Sequence, residues 1–130
     1  MEDLSTKSEN IIQSAAIIDG IHTEFVISIF DDRVFVLVTQ MKKMGTLVSV
    51  EAEGAGAGAL GLGGGSGYSV SVLLGRRDDP LLAVYARQVM ERVCSSLQRP
   101  LLLGIALKPE GRGTSTFEAI INELISMKRW

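Results

Sequence analysis

Residues 34–39 read Val-Phe-Val-Leu-Val-Thr, a run that is apolar on both faces of any strand it could form. A strand of that kind belongs inside a sheet whose two faces are both covered. It lies within a longer stretch, Arg33 to Glu51, where Met41-Lys42-Lys43-Met44-Gly45 breaks the run with two charges and a glycine. Thr46 to Val50 is β-branched and alternating, and reads as a returning strand. The two halves are expected to form a central β-hairpin, and none of its residues looks like a catalyst.

The flanking chain supplies further strands. Asn10 to Ile18 reads as a first strand, and Asp19-Gly20 suits the φ > 0 positions of a tight hairpin turn. Ile21 to Phe30 follows, with Ile21, Thr23, Phe25, Ile27 and Ile29 on one face and His22, Glu24, Val26, Ser28 and Phe30 on the other. Asp31-Asp32 makes the next turn. Residues 52–67 are almost wholly Ala, Gly, Leu and Ser and read as a flexible loop, because glycine is costly to order and has no side chain to bury. Tyr68 to Leu74 is a fifth strand.

The period then lengthens to that of a helix. Asp79-Pro80 is a start signal, an acceptor for free amides followed by a residue suited to the first helical position. Leu82, Ala86, Val89, Val93 and Leu97 form the apolar stripe, and Pro100 is the stop. Leu101 to Leu107 reads as a sixth, buried strand. Ser115 and Glu118 match a capping box, opening a second helix whose stripe is Phe117, Ile120, Ile121, Leu124 and Met127 and which runs to Trp130.

Five strands, a helix, a strand and a helix predict one α+β domain over residues 1–130. Its economical form is a mainly antiparallel six-stranded sheet with two helices on one face. Nothing remains to cover the other face, where Val26, Phe30, Leu47, Ser49, Ser71 and Leu73 are expected. That semi-apolar set suits packing against the sheet of a second subunit, as a dimer interface.

Several function classes are disfavoured by composition. The net charge is −2 and the basic residues fall in small pairs, Lys42-Lys43, Arg76-Arg77 and Lys128-Arg129, not in a face that could neutralise many phosphates, so no nucleic-acid partner is expected. Cys94 is the single cysteine, which rules out an intrachain disulfide and suits a reducing compartment. The N-terminus is acidic, without the apolar core of a signal peptide, and no apolar run reaches membrane-spanning length. The expected location is cytoplasmic, with the nucleus also open to it.

Candidates for chemistry are sparse. His22, the only histidine, has no ligand partners at useful spacing, and Cys94 has no activating base other than His22. Gly56-Ala57-Gly58-Ala59-Leu60-Gly61 matches G-x-G-x-x-G, but the dinucleotide version needs a helix directly after it, and here a strand follows. Asp31-Asp32 and Asp78-Asp79 stand at a turn and a helix start, where Asp has structural reasons to be. Neither a cofactor nor a metal is expected, and the chain reads as a binding protein, not an enzyme.

The stretch Val36-Leu-Val-Thr-Gln-Met-Lys-Lys-Met-Gly-Thr-Leu-Val-Ser49 closely resembles the central hairpin of the proteasome assembly chaperone 3 family. Val72-Leu-Leu-Gly75, the acidic turn after it and Pro80-Leu-Leu82 are similar to that family's fifth strand and long helix, and the C-terminal strand, helix and Trp130 fit as well. The resemblance implies a non-catalytic chaperone that pairs with an assembly chaperone 4-like subunit or with itself. It further implies binding to α-type subunits, the fifth in particular, while the α-ring of the 20S proteasome forms. Lys42 and Lys43, at the exposed turn, are the candidate contact with an acidic patch on a partner. Two alternatives stand beside this reading: a small nucleotide-binding enzyme using the glycine loop, and a dimeric α/β scaffold for GTPases.

Overall fold

The computed structural model describes residues 11–52 and 67–130. The glycine-rich segment and its G-x-G-x-x-G match, 56–61, lie outside the described residues, although Ala52 closes a strand and Gly67 precedes one. The strands are β1 (Ile11–Ile18), β2 (Ile21–Ile29), β3 (Val34–Thr39), β4 (Thr46–Ala52), β5 (Tyr68–Leu74) and β6 (Leu101–Ala106). The helices are α1 (Pro80–Val89) and α2 (Thr114–Ser126).

β1 and β2 form a hairpin in which Ile18 pairs with Ile21. Its two turn residues, Asp19 and Gly20, both have positive φ, 50° and 79°. Such a turn matches the right-handed twist of the flanking strands. β3 continues the antiparallel meander, with Phe25 opposite Val38.

The expected central hairpin does not form. The strand order is β1-β2-β3-β6-β4-β5, so β6 lies between β3 and β4. It runs parallel to β3 and antiparallel to β4, and the sheet is mixed, not purely antiparallel. The physical reason lies in the connection. Residues 40–45 are too many for a tight two-residue turn and must step across one strand, about 10 Å from β3 to β4. Leu101–Ala106 is buried along nearly its whole length and fills the most interior position available.

Both helices pack on one face. A single core joins Phe25, Ile27, Val36, Val38, Val48, Leu103 and Ile105 of the sheet to Leu82, Tyr85, Val89, Ile120, Ile121 and Leu124 of the helices. The stripe of α1 is wider than the sequence reading, since Tyr85 and Met90 are also buried. Asp79 caps α1 by accepting from the Leu81 amide at 3.2 Å, and Pro80 opens it. The helix does not run as one α-helix to Pro100. It widens into a π turn over Met90–Cys94, tightens over Ser95–Leu97 and ends at Gln98, whose φ is 54°.

The capping box expected at Ser115 and Glu118 is also replaced. The cap position of α2 is Gly113, which offers no side-chain bond. Ser115 and Thr116 instead donate their hydroxyls to the Asp19 carboxylate at 2.9 and 2.5 Å. A turn distant in sequence thus supplies the negative charge that a helix N-terminus favours. The helix stops at Ser126, short of Trp130, whose indole N–H donates to the Val93 carbonyl at 3.0 Å on the π turn.

Candidate interaction face

Among the described residues no helix packs on the second face of the sheet. Strand registers fix which side chains share it. One row runs Gln13, Val26, Leu37, Gly104, Leu47 and Leu74 from β1 to β5. The next runs Ile11, Ser28, Phe35, Leu102, Ser49 and Ser71. Val26, Phe35, Leu37, Leu47 and Leu102 are each half-buried among their neighbours.

Four of the six residues expected on this face, Val26, Leu47, Ser49 and Ser71, are brought into those two rows. Phe30 lies one residue beyond β2 and is 52% exposed. Leu73 is the extra residue of a β-bulge, because Val72 pairs with Val48 while Leu74 pairs with Leu47, and it is 50% exposed. Phe35, Leu37 and Leu102 were missed. Their signal was present in the apolar runs 34–39, read as covered on both sides, and 101–107, read as a buried strand. Among the described residues the helices cover one side of these runs.

The loop between β3 and β4 adjoins this face. The Thr39 hydroxyl accepts from the backbone amides of Met41 and Lys43 at 3.1 and 3.2 Å. Lys42 holds a positive φ of 57° and, like Lys43, is exposed. Met44 lies across Gly104, where a Cβ would come 2.9 Å from its Cγ and 3.2 Å from Leu37 Cδ1. Glycine at 104 therefore lets the loop seat against the middle of the face.

Below the loop, Gln40 is buried and makes three hydrogen bonds. Its carbonyl oxygen accepts from the Lys108 amide at 2.9 Å, its amide donates to Thr23 Oγ1 at 3.3 Å, and its backbone N–H donates to Ala106 at 2.8 Å. The loop is thus anchored at its root and presents Met41, Lys42 and Lys43 outward.

The candidates for chemistry are not assembled into a site. His22 is exposed on the helix-free face and pairs with Glu24 at 3.1 Å. Cys94 is buried in the helix layer on the opposite side, and burial pushes its thiol up to about 12. Asp31 and Asp32 are exposed at a turn, Asp78 pairs with Arg76 at 3.5 Å, and Asp79 with Arg112 at 2.6 Å. Among the described residues no cluster of three His, Cys, Asp or Glu could hold a metal ion.

A family model described as proteasome assembly chaperone 3 matches residues 36–127, well over half of the chain. The chain belongs to the proteasome assembly chaperone 3 family. Proteasome assembly chaperone 3 of Nematostella vectensis is 36% identical over 121 residues, covering 90% of this chain and 87% of that protein. The human protein is 33% identical over 97 residues, or 74% of this chain and 75% of its own. In fold, the chain is similar to one from the crystal structure of a chaperone complex for yeast 20S proteasome assembly. The TM-score is 0.67, with 90% of this chain and 97% of that one covered at 15% identity.

Proposed function

We propose that this chain is one half of a small chaperone dimer that binds α-type subunits while the α-ring of the 20S proteasome assembles. It pairs through the helix-free sheet face with an assembly chaperone 4-like subunit or with a second copy of itself. It works by binding, without catalysis, in the cytoplasm, with the nucleus also open to it. Membership of an assembly chaperone family supports this. The observation that carries the pairing is the face itself: Val26, Phe35, Leu37, Leu47 and Leu102 form a contiguous band that no helix among the described residues covers, with Met44 laid across Gly104 in its middle. Apolar rows flanked by serines suit a sheet-on-sheet interface. Phe30 and Leu73 extend the band at its ends, and Lys42 and Lys43 project beside it toward an acidic patch on an α-subunit.

Two measurements test the reading separately. Affinity purification from cells is expected to retrieve α-type subunits of early intermediates together with a small related chaperone. Recovery only with mature proteasomes would count against it. Phe30→Glu and Leu73→Glu are expected to weaken association at least about tenfold in sedimentation, since each would place a charge in a desolvated contact. Unchanged mass with the fold intact would move the interface elsewhere.

A further inference from the structure

The helix side of the sheet carries a second open feature, a groove of about 420 Å³ between α1 and β5. It exists because α1 turns its buried stripe, Leu82, Tyr85, Ala86 and Val89, into the shared core and faces the groove with Pro80, the short Ala83 and Arg87. Val70 and Val72 of β5 remain half-exposed there beside the fully buried Val48, and the three form an apolar floor.

The rim carries two acids and two arginines. The acids are engaged: Asp78 lies 3.5 Å from Arg76 and Asp79 2.6 Å from Arg112. Neither arginine has a carboxylate partner among the described residues. Arg77 Nη1 donates to the neutral carbonyl of Val72 at 2.9 Å, which holds its guanidinium at the groove and leaves its other N–H groups free of described partners. Arg87 has no hydrogen bond or ion pair among the described residues. Toward an incoming group, therefore, the rim is cationic and the floor is apolar.

We propose that this groove docks an extended segment of a partner protein in which an aliphatic side chain is flanked by carboxylates. The aliphatic group covers the valine floor and the carboxylates meet Arg77 and Arg87, whose planar guanidinium groups suit that geometry. Two cations are too few to hold a nucleic-acid backbone, and the floor has no aromatic ring on which a base could stack. The site lies on the side of the sheet opposite the proposed pairing face and does not depend on what covers that face.

The test uses the full chain and a fluorescein-labelled peptide, Glu-Glu-Leu-Val-Glu-Glu, with Lys-Lys-Leu-Val-Lys-Lys as control. Anisotropy is expected to show saturable binding of the acidic peptide only, with amide shifts centred on Val70, Val72 and Ala83. Arg87→Glu is expected to weaken it about tenfold without lowering the unfolding temperature or changing the mass of the assembly. Ala83→Phe, which fills the groove and keeps every charge, should abolish binding. Equal binding of both peptides, retention by either variant, shifts centred on Leu37 and Leu47, or no saturable binding would each overturn the proposal.

Discussion

Two carboxylates do structural work that their neighbours in sequence do not reveal. Asp79 caps α1 and also holds Arg112, and the hydrogen bond from Arg112 keeps its carboxyl below the ordinary value of 3.8. Asp19 is lowered in the same direction, first by Thr116 and then by Ser115. A depressed folded value adds stability above the unfolded value and loses it as pH falls through the folded one. Asp79→Ala should therefore cost about 1–2 kcal/mol at neutral pH in urea titrations. The gap to wild type should close as the pH is taken below 3.8. Tyr85 presents the reverse case. It is fully buried against Phe117, with ring centroids 4.7 Å apart, its hydroxyl has no hydrogen-bonding partner among the described residues, and burial pushes its pKa to about 12. Tyr85→Phe keeps the ring and removes the orphaned group, so a gain of about 1 kcal/mol in urea unfolding is expected.

At the scale of elements, the step from β3 to β4 depends on one glycine. Gly45 has a φ of 71°, and a Cβ there would run into the Ile105 carbonyl and Ala106 of β6. Gly45→Ala combines a disfavoured backbone with overpacking and should destabilise by about 2–4 kcal/mol in denaturant titrations. The same residue shows where sequence reading reaches its limit. Each strand was legible to within a residue or two, because alternation and turn chemistry are local: Asp19-Gly20 and Asp79-Pro80 identify themselves. Pairing is not local. Nothing in Val34–Thr39 says that its neighbour comes from residues 101–106 and not from 46–52. The cap of α2 was illegible for the same reason, since Asp19 reaches it from the first hairpin. The helix-free face was legible in part. Alternation identified Val26, Leu47, Ser49 and Ser71, while Phe35 and Leu37 stayed hidden inside a run that looked covered on both sides.

At the scale of the whole molecule, the sheet consists of two strand groups, β1-β2-β3 and β4-β5, joined only through β6. A chain ending before Leu101 should retain no cooperative urea transition by circular dichroism, because both strands at the join lose their hydrogen-bonded neighbour and the core loses Leu101, Leu103 and Ile105. The arrangement has a consequence for biosynthesis. A ribosome delivers the two groups before the strand that locks them together. Until it arrives, β3 and β4 each present a bare apolar edge, the kind of edge that recruits other chains. Copies stalled or truncated before Leu101 are thus expected to present those two edges to other chains, and the protein is most exposed to misassembly until β6 has been made.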